Sequence, residues 1–144
     1  MTFATKSVAT ALKTLAENIN GVHAATIGVP ETISNRVHAI ITAAGQDIGE
    51  KTTGTLSRGA RYMVNFAYRL DGAETTAEEA LMDIIDLFQA ALFADRTLGG
   101  VCTDIRVDVT LPDAPDYQTR AGKEFREFPV MVTAMQRGAF TINP

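Results

Sequence analysis

At 144 residues the chain has the length of one ordinary domain, enough to bury about two-thirds of its unfolded surface. Hydrophobic residues make up 46% and charged residues 21%, as expected of a soluble globular protein. A net charge of −4 and a pI near 5.1 argue against a large nucleic-acid-binding face. The single cysteine, Cys102, excludes an internal disulfide framework and fits a reducing compartment. No apolar run approaches the ~18 residues of a membrane span. The opening MTFATKSVATALKTLAENIN lacks a basic start followed by an apolar block, so no secretory signal is read there.

The spacing predicts a first helix from about Phe3 to Ile19, with Val8, Leu12, Leu15 and Ile19 as an apolar stripe. Lys6, Lys13 and Glu17 lie opposite, and Asn20-Gly21 is the stop. The next stretch, VHAATIGVPETISN, holds scattered apolar residues and Pro30 and reads as a connection containing at most a short strand. RVHAIITA, residues 36–43, is rich in β-branched residues and predicts a strand. The four glycines and many hydroxyls of AGQDIGEKTTGTLSRGA are the composition of an extended loop. Residues 61–70 alternate, with Tyr62, Val64, Phe66, Tyr68 and Leu70 on one face and Arg61, Asn65 and Arg69 on the other.

Asp71-Gly72 is the expected turn into the central helix. Two overlapping capping boxes, Thr75 with Glu78 and Thr76 with Glu79, are expected to start it. Ala77, Leu81, Ile84, Ile85, Phe88, Ala91 and Leu92 then share one face, and Gly99-Gly100 closes the segment. Val101, Ile105, Val107, Val109 and Leu111 alternate with Cys102, Asp104, Arg106, Asp108 and Thr110 as a further strand. A polar loop, PDAPDYQTRAGKE, leads to a last strand from about Phe125 to Gln136. Pro129 cannot donate a ladder bond, which predicts an edge or bulged strand there. The expected order is α-β-β-α-β-β over a single domain, 1–144. It forms an α+β two-layer sandwich with both helices on one face of a mostly antiparallel sheet. The other sheet face is expected to be polar.

Chemistry is sparse. GQDIGEKT, residues 45–52, has the wrong glycine-to-lysine spacing for a phosphate loop, puts Glu50 where phosphate would sit and leads into no helix. His23 and His38 stand apart with no carboxylate or cysteine at ligand spacing and read as surface or interface histidines. Glu78, Glu79, Asp83 and Asp86 favour the helix N-terminus or form its wet face. Cys102 falls on the polar side of its strand beside no base and reads as a passive thiol. No catalytic, cofactor or metal residues are assigned, and the chain reads as no enzyme. Interaction residues are assigned instead. Met82 and Phe93 project off the core face of the central helix, and Ile48 and Leu56 are the large apolar side chains of the Gly45–Gly59 loop. Lys51 and Arg58 on that loop can pair with acidic groups on a partner.

ALFADRTLGGVCTDIRVDV, residues 91–109, resembles the tail terminator (tail completion, head-to-tail joining) proteins of long-tailed bacteriophages. In that family a helix commonly ends in an "L…D-x-T-L-G-G" phrase followed directly by an alternating strand, within the same order of elements. The resemblance implies a structural virion protein without cofactor, assembled in the host cytoplasm and carried in the tail. It implies a homo-oligomer, a hexameric ring, that caps the head-proximal end of the tail tube, stops tube polymerisation and offers a surface to the head connector. DNA would only pass through the lumen, and a mildly acidic subunit suits that passage. Phage neck and minor tail proteins, a small cellular adaptor binding along an edge strand, and a small α+β enzyme with dispersed groups remain as alternatives.

Overall fold

Helix α2 (Glu74–Ala94) forms where the 3.6-residue period of apolar side chains predicts it, and it buries Ala77, Leu81, Ile84, Ile85, Phe88 and Leu92. It begins at Glu74, so Thr75 and Thr76 lie inside its first turn and not at the cap. Helix α1 (Thr5–Glu17) precedes it in the chain and buries Val8, Ala9, Leu12 and Ala16. The computed structural model describes residues 5–30, 37–52, 55–70, 74–108, 116–120 and 123–139. Side chains are described for these except 47–52, 55, 56, 74, 75, 116–118, 120 and 137–139. The Asp71-Gly72 turn, Val109, Thr110 and Leu111 lie outside the described residues.

Six strands make one sheet: β1 (Val22–Ile27), β2 (Val37–Thr52), β3 (Thr55–Arg69), β4 (Asp104–Asp108), β5 (Asp116–Arg120) and β6 (Lys123–Ala139). Their spatial order is β1-β2-β3-β6-β4, with β5 on β6 as well. All described pairs are antiparallel except β1 with β2. The fold is α+β with two helices, as expected, but the chain order is α-β-β-β-α-β-β-β. Of the two extra strands, β1 is the short strand allowed for within the first connection, and β5 lies in the stretch read as a polar loop. In β1 a register shift between Val22 and Ala24 breaks the alternation. In β5 the residues are polar and are held by pairing Asp116–Arg120 with Lys123–Glu127.

Both helices lie on one face of the sheet. A single apolar cluster joins their buried residues to Val37, Ala39 and Ile41 of β2, to Ala60, Tyr62, Val64 and Phe66 of β3, and to Phe128, Val130, Val132 and Ala134 of β6. The register sets Tyr62 opposite Val132, Val64 opposite Val130 and Phe66 opposite Phe128. Phe66 meets Phe88 edge to face, with ring centroids 5.1 Å apart. Helix α1 covers β1 and β2, and α2 covers β3 and β6. The opposite face is mainly polar, as expected, with exposed Arg106 and Asp108 and half-buried Arg61, Asn65 and Arg69. It also holds a second small cluster of Ile40, Ala67 and Phe125.

Pro129 sits in a strand with neighbours on both sides, where an edge or bulged strand was expected. β6 pairs β3 along one side, but β5 reaches only to Glu127 and β4 only from Met131 on the other. Among the described residues nothing pairs with residues 128–130 on that side. The missing N–H therefore falls in a gap between two short strands, where a proline breaks no ladder bond.

Candidate interaction surface

Residues 45–59 are not an extended loop. β2 and β3 stay in antiparallel register from His38↔Ala67 out to Thr52↔Thr55, and β6 follows β3 as far as Thr55↔Ala139. At about 3.4 Å per residue β3 is about 50 Å long, while α2, at 1.5 Å per residue, is about 30 Å. The three strands therefore continue past the helical layer as a ribbon arm. A bulge between Ala43 and Gly45 marks its root, and Gly45 adopts φ +114° there. An added Cβ would stand 3.0 Å from the Arg61 guanidinium, so both backbone and space favour glycine. The phosphate-loop-like GQDIGEKT is part of β2.

Arg58, expected to face a partner, is instead 6% exposed. Its guanidinium donates to Thr5 Oγ1 at 3.0 Å, to Gln46 Oε1 at 3.1 Å and to Gln136. Gln136 in turn donates to the Val101 carbonyl at 2.8 Å, and the Tyr62 hydroxyl donates to the Thr5 carbonyl at 2.9 Å. Three hydrogen bonds to its terminal nitrogens offset part of the cost of burying this cation. Here the partners come from the start of α1, from β2 and from β6, all distant in sequence, which is why a charged residue in a glycine-rich stretch gave no sign of it. The arm root is thus a polar knot on which the helical layer ends. Ile48 pairs with Arg58 and Leu56 with Glu50, while Lys51 lies in β2 next to the tip. The side chains of Ile48, Lys51 and Leu56 lie outside the described residues.

Met82 and Phe93 are where the sequence places them, off the core face of α2 and each 55% exposed. Phe93 lies beneath Arg96, whose guanidinium carbon is 5.7 Å from the ring centroid. Arg96 grips Asp104 with two bonds, Nε to Oδ1 at 2.7 Å and Nη2 to Oδ2 at 3.1 Å. These bonds, with the Ile105 amide, hold the Asp104 carboxyl below its usual pKa. The same fork occupies both backbone polar groups of Ile105 in β4, for Asp104 Oδ1 accepts its N–H and Arg96 Nη2 donates to its C=O. A hollow of about 340 Å³ beside β4 is lined by Phe93, Arg96, Asp104, Ile105 and Val107, among others. A larger cleft of about 870 Å³ opens between α2 and the starts of β1 and β2, lined by Val22, His23, Val37, Tyr68, Asp83 and Leu87 among others.

No catalytic arrangement assembles from the remaining candidates. Glu78 pairs with Arg126 of β6 and so ties α2 to the sheet, while Glu79, Asp83 and Asp86 are exposed. His38, read as a surface or interface residue, is buried, with Nε2 3.1 Å from Thr26 Oγ1. Burial, and then the neighbouring His23, hold its pKa below the ordinary value. Cys102 lies in the turn before β4 and is packed in the core, not on a polar strand face. Burial first, and then Asp104 and Asp95, push its thiol up to about 11, so it is protonated near neutral pH. Among the described residues no three His, Cys, Asp or Glu side chains are grouped to hold a metal ion, and no helix is long and apolar enough to cross a membrane. No family model matches the chain, and no curated protein matches it.

Proposed function

We propose that the chain is a structural assembly subunit of the tail-terminator type. In this reading copies associate into a ring, six in the family it resembles, on the head-proximal end of a phage tail tube. The ring ends tube growth and presents its other side to the head connector, with DNA passing through its lumen and no cofactor involved. The observation that carries this reading is the arm. Three strands outrun their helical cover, and their root is fixed by Arg58 to α1, β2 and β6. A domain that needs only to fold has no use for such an extension, whereas a subunit that must reach a tube or a neighbour does. Ile48, Lys51 and Leu56 stand on this arm as contact candidates, with Met82 and Phe93 on α2. Arg58 supports the arm from within. The edge-binding adaptor reading gains nothing from β4, since both backbone groups of Ile105 are already occupied.

Two measurements test the reading together. Light scattering coupled to size exclusion should give a multi-subunit species, and complementation should require the arm. Replacing residues 49–56 by a two-residue turn should leave the domain folded yet yield no joined, infectious particles. Normal particles from the shortened chain would reduce the arm to a connector and remove the support for this function.

A further inference from the structure

The cleft of about 870 Å³ between α2 and the starts of β1 and β2 takes no part in the arm. Its size falls in the range of ligand sites, about 300–1,000 Å³. Its floor is apolar: Val37 and Ile84 are buried there, Val22 and Tyr68 are half-buried, and Leu87 is 45% exposed to the opening. The turn between α1 and β1 forms part of the wall. Gly21 takes φ +100° in that turn, and a Cβ on it would stand 3.3 Å from the Ile84 side chain. The turn therefore lies directly against α2, and the cleft is built from parts that the core already fixes.

Charge in this cleft is one-sided. Asp83 and Asp86 line it from α2, and among the described residues no lysine or arginine does. Three positions apart on a helix, the two carboxylates are neighbours. Elsewhere the chain supplies its own cations: Glu78 pairs with Arg126, Asp104 with Arg96 and Glu17 with Lys13. Among the described residues no cation pairs with Asp83 or Asp86, and both are exposed. An anionic wall over an apolar floor with a tyrosine ring is the complement of arginine. Its guanidinium meets carboxylates with two bonds and stacks on aromatic faces, and its stem is aliphatic, whereas a lysine head is a strongly hydrated point charge. Solvent-exposed carboxylates hold a cation only weakly. Lasting occupancy needs the further contact that a side chain borne on a segment makes with Leu87 and Val22.

We infer that this cleft docks an arginine side chain carried on an extended segment of another protein. The guanidinium sits at Asp83 and Asp86, and the stem runs along Leu87 and Val22 toward Tyr68. A single copy of the chain offers the whole cleft, so the inference does not use the ring.

The probe is an acetylated, amidated tetrapeptide, glycine-leucine-arginine-glycine, titrated into the isotope-labelled chain and followed by amide NMR. Saturable shifts are expected at His23, Asp83 and Leu87, with millimolar affinity. The citrulline counterpart keeps the shape and removes the charge, and it should bind about fivefold or more weakly, the size of one well-made surface ion pair. The lysine counterpart should also bind more weakly. Asp83→Asn with Asp86→Asn alters exposed groups, so the denaturation midpoint should hold while peptide binding is lost. Shifts that do not saturate, shifts elsewhere, or equal binding of the citrulline peptide overturn the inference, and equal binding of the lysine peptide overturns the choice of arginine. Free arginine amide binding as tightly as the peptide would make this a small-cation site. A peptide that binds only after Arg36→Ala, at a position outside the described residues, would make the chain's own arginine the occupant. Either result overturns docking of another protein. None of them touches the ring reading, which light scattering of the chain alone decides.

Discussion

β2, β3 and β6 each pass through two environments, and the contrast separates what holds this fold from what it offers to others. In the inner half, Ala60 to Phe66 of β3 and Phe128 to Ala134 of β6 lie under two helices and are fixed by side-chain burial. In the arm, the same strands run on beyond the helices, paired along their ladders, with Arg58 at the boundary. Burial is cooperative and expensive to disturb, whereas a ribbon held by its backbone can change sequence and length with little effect on the domain. Strain on the molecule should therefore fall off steeply from the Phe88 layer to the tip.

The largest effect is expected in the inner half. Phe88 is fully buried and stacks edge to face on Phe66, so Phe88→Ala should cost about 3–5 kcal/mol. Chemical denaturation measures this directly, and a variant within error of the parent would deny α2 its central place. Next comes the boundary. Arg58→Ala leaves Gln46, Gln136 and Thr5 without their shared donor, and hydrogen bonds to a buried charge imply a loss of about 2–3 kcal/mol. Amide exchange should quicken in the arm and at the start of α1 together. Exchange that rises in only one of them would mean that the knot does not couple the two regions.

The inner half was legible because burial writes a period into sequence. Leu81, Ile84, Phe88 and Leu92 recur at helical spacing, and Tyr62, Val64 and Phe66 alternate, since each faces the same core. The arm was not legible for the converse reason. Gln46, Asp47, Gly49, Glu50 and Lys51 carry no apolar alternation, and pairing through the backbone leaves no mark on side-chain type. Arg58 was misplaced for a third reason: its partners lie 12, 53 and 78 residues away, and nothing local tells a buried cation from a solvated one. Met82 and Phe93 were readable because an apolar residue off the core face of a helix is conspicuous once that face is known.

A smaller effect separates the two regions by pH. His38 is buried beside Thr26 on the inner part of β2, and burial lowers its pKa in the folded state. The unfolded chain, with an ordinary value of about 6.5, takes up the proton first. Stability from this residue is therefore complete above about pH 6.5 and declines as pH falls below it, by at most about 1.4 kcal/mol per pH unit. His38→Gln should flatten that part of the stability profile. Shortening the arm should leave it unchanged and move the denaturation midpoint far less than Phe88→Ala does, since the ribbon lies beyond the Phe66–Phe88 layer. A profile that kept its slope without His38 would assign the dependence to other groups.

The smallest effect on stability is expected at the β4 edge, where the contrast can be turned around. Arg96 and Asp104 are surface groups, and an exposed ion pair adds little to stability even with two good bonds. Their geometry is the informative part, because they hold the N–H and C=O of Ile105 as a neighbouring strand would. Outer strands that lack such cover invite pairing with another chain. Arg96→Ala should leave the denaturation midpoint where it is but speed amide exchange at Ile105. At high concentration it should also allow a strand-to-strand association that the parent does not make. Unchanged exchange at Ile105 would show that the fork does not guard this strand. Faster exchange with no new association would show that the short, charged β4 protects itself by length and charge alone.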